Sequence, residues 1–162
     1  MKKALLVVTV VTCLVFLFGC NNTQKTLDEE FRFSKDDFVV IEELDTHGGF
    51  LGDGTYYLTL DCSKNQDKIN EIIGGWNKLP FTEGLNLIMY GGSKNETNYH
   101  SCLEPDKRTF PQIENGYYMV LDRNDGEIRN IVNDLGYHAS RNFTIAVYDS
   151  DNKIMYYFEY DS

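Results

Sequence analysis

The 162-residue chain predicts an α+β fold: a mainly antiparallel sheet of about six strands, with one or two helices packed on one face. Three observations point there. Six runs of five to seven residues are rich in β-branched and aromatic side chains and are bounded by turn formers. Two other segments repeat apolar residues at helical spacing. The resulting order, β-β-α-β-β-α-β-β, contains the βαββαβ series of a split-βαβ sandwich. In that sandwich, however, the strand before the first helix has both neighbours taken, whereas here it also has a hairpin partner. A plain antiparallel sheet accommodates every element.

Phe38 to Leu44 is short and β-branched, so it reads as the first strand. Asp45 to Gly54 holds four glycines and two aspartates, a loop suited to unusual backbone angles, and Thr55 to Leu60 resumes as the second strand. Ser63 to Trp76 is the clearest helix. Ser63 and Gln66 have capping-box spacing, Ile69, Ile72, Ile73 and Trp76 share one face, and Gly74 and Gly75 end it. Leu85 to Tyr90 suits a third strand, while residues 91–115 show no clear period. Tyr117 to Leu121 forms a fourth strand. Ile128, Ile131, Val132 and Leu135 then predict a second helix, with Asn124 or Asp125 as cap and Gly136 as stop. Phe143 to Tyr148 and Ile154 to Tyr160 make a closing hairpin around the turn formers Asp149 to Lys153.

Ahead of the first strand the chain reads as an address. Lys2 and Lys3 precede an apolar run from Ala4 to Phe18, shorter than the roughly 20 residues a spanning helix needs. Gly19-Cys20 follows. This arrangement resembles a bacterial lipoprotein signal, although Phe18 stands where a small residue is usual. The resemblance implies cleavage before Cys20, lipidation of that thiol, and a mature protein tethered to the outer side of a cell membrane. Residues 1–19 are then the signal peptide, 20–30 the lipidated N-terminus and polar linker, and 31–162 a single domain.

The formal charge is −10; without Lys2 and Lys3, 25 acidic residues face 13 basic ones, or −12. Such a surface argues against nucleic acid, whose phosphates need clustered Lys and Arg. The expected partners are the membrane, through the lipid, and a protein or cell-wall component. Two thiols remain in the domain, Cys62 and Cys102. A disulfide between them is one reading in an oxidising compartment, and two separate buried thiols the other.

The segment richest in chemistry is the Asp45 to Gly54 loop. Asp45, His47, Phe50 and Asp53 are its candidate partner-binding residues. Asp45, His47 and Asp53 also support an alternative reading as a small hydrolase or metal-dependent enzyme, because carboxylates beside an imidazole can transfer protons or hold a cation. An inhibitor or immunity-like role is the third reading. His100 and His138 are scattered, and no metal or cofactor is expected. The pairs Tyr56-Tyr57, Tyr117-Tyr118 and Tyr156-Tyr157 would each turn one ring outward if exposed on strands.

The loop Gly48-Gly49-Phe50-Leu51-Gly52-Asp53-Gly54, the strand Asn142 to Asp149 and the closing Tyr156-Tyr157-Phe158-Glu159 are similar to a group of small uncharacterised secreted or lipid-anchored proteins of Gram-positive bacteria. The likeness covers most of residues 38–160. That group carries no assigned activity, so it implies no functional residue. The expectation is a lipid-anchored extracytoplasmic protein acting as a non-catalytic binding module.

Overall fold

In the computed structural model, which describes residues 26–48, 53–103, 109–124, 127–128 and 142–161, every strand pairing is antiparallel. In chain order the elements are β1 (Val39–Asp45), β2 (Gly54–Asp61), α1 (Gln66–Ile73), β3 (Asn77–Lys78), α2 (Glu83–Tyr90), β4 (Gly92–Lys94), β5 (Thr97–Tyr99), β6 (Gly116–Asp122), β7 (Glu127–Ile128), β8 (Phe143–Asp149) and β9 (Ile154–Asp161). The main sheet has the order β1-β2-β9-β8-β6-β3, with β7 also paired to β6. The fold is therefore α+β on an antiparallel sheet. β2 lies between β1 and β9, the arrangement that the hairpin argument required.

Both faces of this sheet are apolar, and each has its own cover. Ile69 and Ile73 of α1 join Leu58, Leu60, Met119, Tyr148, Met155 and Tyr157 on one side. Leu85 and Met89 of α2 join Tyr57, Val120, Ile145, Val147 and Phe158 on the other. Alternation along β8 and β9 divides their side chains between the two clusters. All seven residues of β8 are buried, the mark of a central strand covered on both faces.

The α1 cover is completed by chain ahead of β1. Leu27, which the sequence places in the linker, is 2% exposed, within a helical turn over residues 26–29. Phe31 is fully buried and meets Trp76 and Tyr157 edge to face, at centroid distances of 5.9 and 5.7 Å. Asp37 ties this segment to α1. Its carboxylate accepts from Ser34 N (2.8 Å), Ser34 Oγ (2.9 Å) and Lys68 Nζ (2.6 Å). Burial disfavours the charge on Asp37, but those hydrogen bonds outweigh it and hold the pKa below its ordinary value.

Several expectations are corrected. Residues 85–90 form α2 rather than a strand. Thr82 accepts from Leu85 N at its start, Leu85 and Met89 fall one turn apart on the buried face, and Gly91 at φ 73° stops it. The expected capping box on α1 is not formed. Asp61 Oδ1 accepts from Ser63 N (2.8 Å), while the Gln66 amide donates to Cys62 O (2.5 Å). Residues 92–99 form a tight hairpin whose central Asn95 and Glu96 both have positive φ, as a type I′ turn requires. Where the second helix was to begin, Glu127 and Ile128 pair with β6 instead. The rest of that predicted helix lies outside the described residues, as do the leader and Cys20.

Cys62 and Cys102 are buried in opposite clusters, so the sheet itself lies between them and no disulfide joins them. Burial, the largest influence, pushes the Cys62 thiol up to about 12. Asp149 accepts with its carboxylate from the amides of Asp151 and Asn152 and so holds the β8–β9 turn.

Two outcomes follow. Phe31→Ala leaves a cavity against Trp76 and Tyr157 and lowers stability by about 3–5 kcal/mol in urea unfolding; a change below 1 kcal/mol would detach residues 26–33 from the core. Adding a reductant leaves both electrophoretic mobility and the thermal midpoint unchanged, because no disulfide joins Cys62 to Cys102.

Candidate functional site

The candidate loop leaves β1 at Asp45 and enters β2 at Gly54, and its two ends are stitched together. Thr46 N donates to Thr55 O (2.9 Å), and Thr55 N donates to Thr46 Oγ1 (2.9 Å). Gly54 is required by close approach, since a Cβ there would lie 2.6 Å from His47 Cα. The same end of β2 is paired with the end of β9, Gly54 opposite Asp161. Register therefore brings the loop against the last described residues of the chain.

His47 is held between two carboxylates. Its Nδ1 lies 2.7 Å from Asp45 Oδ1, which also accepts from His47 N (3.0 Å), and its Nε2 lies 2.9 Å from Asp161 Oδ2. Partial burial opposes a charged ring. The hydrogen bonds and negative charges of Asp45 and Asp161 outweigh that, and the net effect raises the pKa above its ordinary value. The protonated ring donates from both nitrogens.

The network continues across the sheet. Arg123, just beyond β6, donates from its guanidinium to Asp161 Oδ1 (2.7 Å) and Tyr160 O (3.1 Å). Its other terminal nitrogen is 3.9 Å from Glu159 Oε2, and Glu159 accepts from the hydroxyl of Tyr157. One carboxylate, Asp161, thus joins a histidine from the β1–β2 loop to an arginine from the far side of β8.

Among the sequence-predicted residues, Asp45 and His47 are brought together. Asp53 is exposed and stands apart from them: Asp45 bonds His47, and the other ring nitrogen of His47 reaches Asp161. Phe50 lies outside the described residues, as does His138. Asp161 and Arg123 were not singled out from the sequence, and no local motif marks either; only the strand register makes them neighbours of the loop. His100 stands instead at a groove of about 620 Å³ between α2, β5 and the stacked pair Phe143–Tyr160. The tyrosine pairs form no outward row. Tyr57, Tyr118 and Tyr157 are buried, while Tyr56 and Tyr117 pack half-buried on one face and Tyr156 on the other. Among the described residues, no group of three His, Cys, Asp or Glu side chains is placed to hold a metal ion, and no helix is long and apolar enough to cross a membrane.

Fold and corner together define a small antiparallel α+β domain closed at one end by a charged latch. Comparison with protein families, curated proteins and solved structures finds no match.

The raised His47 pKa gives a signed prediction. The folded state holds the proton more tightly than the unfolded chain, so the latch contributes fully below the unfolded value near about 6.5 and is lost as pH rises through the higher folded value. His47→Gln therefore costs on the order of 1 kcal/mol at pH 5.5 and less at pH 9. Denaturant unfolding of both proteins across that range should show the gap closing; a gap that widens with pH contradicts the doubly bonded imidazolium.

Proposed function

We propose that this chain is a lipid-anchored extracytoplasmic protein whose folded domain works by binding a protein or wall component rather than by catalysis. The observation that carries the binding half is the state of His47. A general base needs a lone pair within reach of its substrate, and an imidazole bonded to carboxylates at both nitrogens presents none. Asp53, the third member of the hydrolase reading, stands outside that network. The loop instead has fixed ends, with Gly48 and Asp53 exposed beside them. A pre-ordered rim of this kind lowers the entropy lost when a partner docks.

Support for the anchor rests on the basic start, the apolar run and Gly19-Cys20. Two or more acyl chains hold firmly, at about 0.8 kcal/mol per buried methylene, where one is marginal. The acidic charge favours a polar or cationic partner over phosphate-rich surfaces.

Mass spectrometry of the membrane fraction should find Cys20 as the first residue, carrying diacylglycerol, and Cys20→Ala should abolish the modification. Mature chain free in the medium, or with residues 1–19 still attached, overturns the anchor. The double variant Phe50→Ala and Asp53→Ala should bind at least ten-fold more weakly to the surface-protein or wall fraction that retains the wild type, with an unchanged thermal midpoint. Equal retention removes the loop from the binding surface.

A further inference from the structure

The two edges of the sheet are finished in opposite ways. On one side β6 is covered by β3 at its start and by β7 at its end, two residues each, with α2 following β3 in the chain. On the other, β1 is seven residues long, and among the described residues no strand pairs with its outer side. Six of its seven residues are exposed. Val39, Val40 and Ile41 are 43%, 47% and 57% exposed, three of the four large hydrophobic residues that reach solvent among those described.

The backbone of this edge is set up to accept a strand. Thr46 N donates to Thr55 O, which makes residues 46 and 55 a hydrogen-bonded pair. Antiparallel alternation then turns the amides and carbonyls of Leu44 and Glu42 toward β2, and those of Glu43 and Asp45 outward. A bulge between Val40 and Glu42 bends the strand between its apolar half and its acidic half.

Charge selects the occupant. Glu42, Glu43 and Asp45 crowd the second half of β1 with carboxylates; Asp45 faces His47, Glu43 accepts from the hydroxyl of Tyr56, and the strand itself holds no Lys or Arg. A second copy in full antiparallel register would set Glu42 against Glu42 and the apolar Val39 to Ile41 against Glu43 to Asp45, and a copy also brings a net charge of −10. A cationic strand removes that repulsion and gains cross-strand ion pairs. In antiparallel pairing its N-terminal half meets Glu42 to Asp45 and its C-terminal half meets Val39 to Ile41. We propose that the outer edge of β1 is a strand-addition site for an extended segment of another protein, basic in its first half and β-branched and apolar in its second. This deepens the binding-module reading and rests on it.

The test uses the full chain in detergent micelles and a fluorescent heptapeptide, Lys-Leu-Lys-Lys-Ile-Val-Val. Binding should be at least ten-fold tighter than to the same peptide with Glu for each Lys, should weaken with salt, and should slow amide exchange at Glu43 and Asp45. The double variant Glu42→Lys and Glu43→Lys should lose at least ten-fold. Glu43→Pro, which removes an outward donor while sparing the β2 ladder, should lose binding if circular dichroism shows it folded; if it unfolds, the charge-reversal variant decides. Equal affinity for the two peptides, protection confined to other strands, or a β1-mediated dimer of the free chain overturns the proposal. A chain that stays anchored and is retained by its surface fraction through Phe50 and Asp53, yet ignores the peptide, sinks this site and leaves the broader function standing.

Discussion

β8 has no solvent-facing side, and that constraint organises the rest of the domain. All seven of its residues are buried, so the sheet needs a cover on each face. The chain has only two eight-residue helices among the described residues to supply them. Irregular chain does the remainder. Phe31, Phe33 and Phe38 extend the α1 cover, and Cys102, Leu103 and Phe110 extend that of α2. Irregular segments carry backbone groups that must be satisfied once buried. Ser101 Oγ donates to Met89 O and Cys102 N donates to Ile88 O, so the second cover also caps the carbonyl end of α2. Asp37 does the equivalent work on the first, accepting from Ser34 and from Lys68 of α1.

With both faces occupied by apolar cover, polar chemistry is displaced to the ends and edges of the sheet. The Asp161 carboxylate sits at one such end and answers two basic side chains at once, His47 and Arg123. These partners come from opposite sides of the β9–β8 pair, so the latch fixes strand ends that the ladder alone would leave free to fray. The arrangement also explains why the most enzyme-like residues of the chain are poorly placed to react. Their charges are spent on one another.

Much of the fold was legible because local signals agreed. The β8–β9 hairpin announced itself through five successive turn formers and clear alternation, and α1 through the Ile69–Ile73 face. α2 was not legible from periodicity, because Leu85, Leu87 and Met89 alternate as a strand would while Leu85 and Met89 also satisfy helical spacing. Thr82 before Glu83 and Gly91 after Tyr90 were the informative residues, as cap and stop. The β4–β5 hairpin hid behind Asn95-Glu96, a less familiar pair than Asn-Gly for two successive positive φ angles. The site was half visible. Asp45 and His47 are two residues apart, but His47 and Asp161 are separated by 114 positions, and only the pairing of Gly54 with Asp161 closes that distance.

The early onset of packing at Leu27 bears on how the domain stands above a bilayer. On the lipid-anchored reading, six residue steps separate Cys20 from Thr26, whose carbonyl already accepts from Glu30 N. At full extension that is a standoff of about 20 Å, less than the breadth of the domain itself. An acidic body so close to anionic headgroups would on that reading be pushed outward within a screening distance of about 8–10 Å. The body would be confined to a thin layer, sampling partners that come to the membrane rather than reaching far from it.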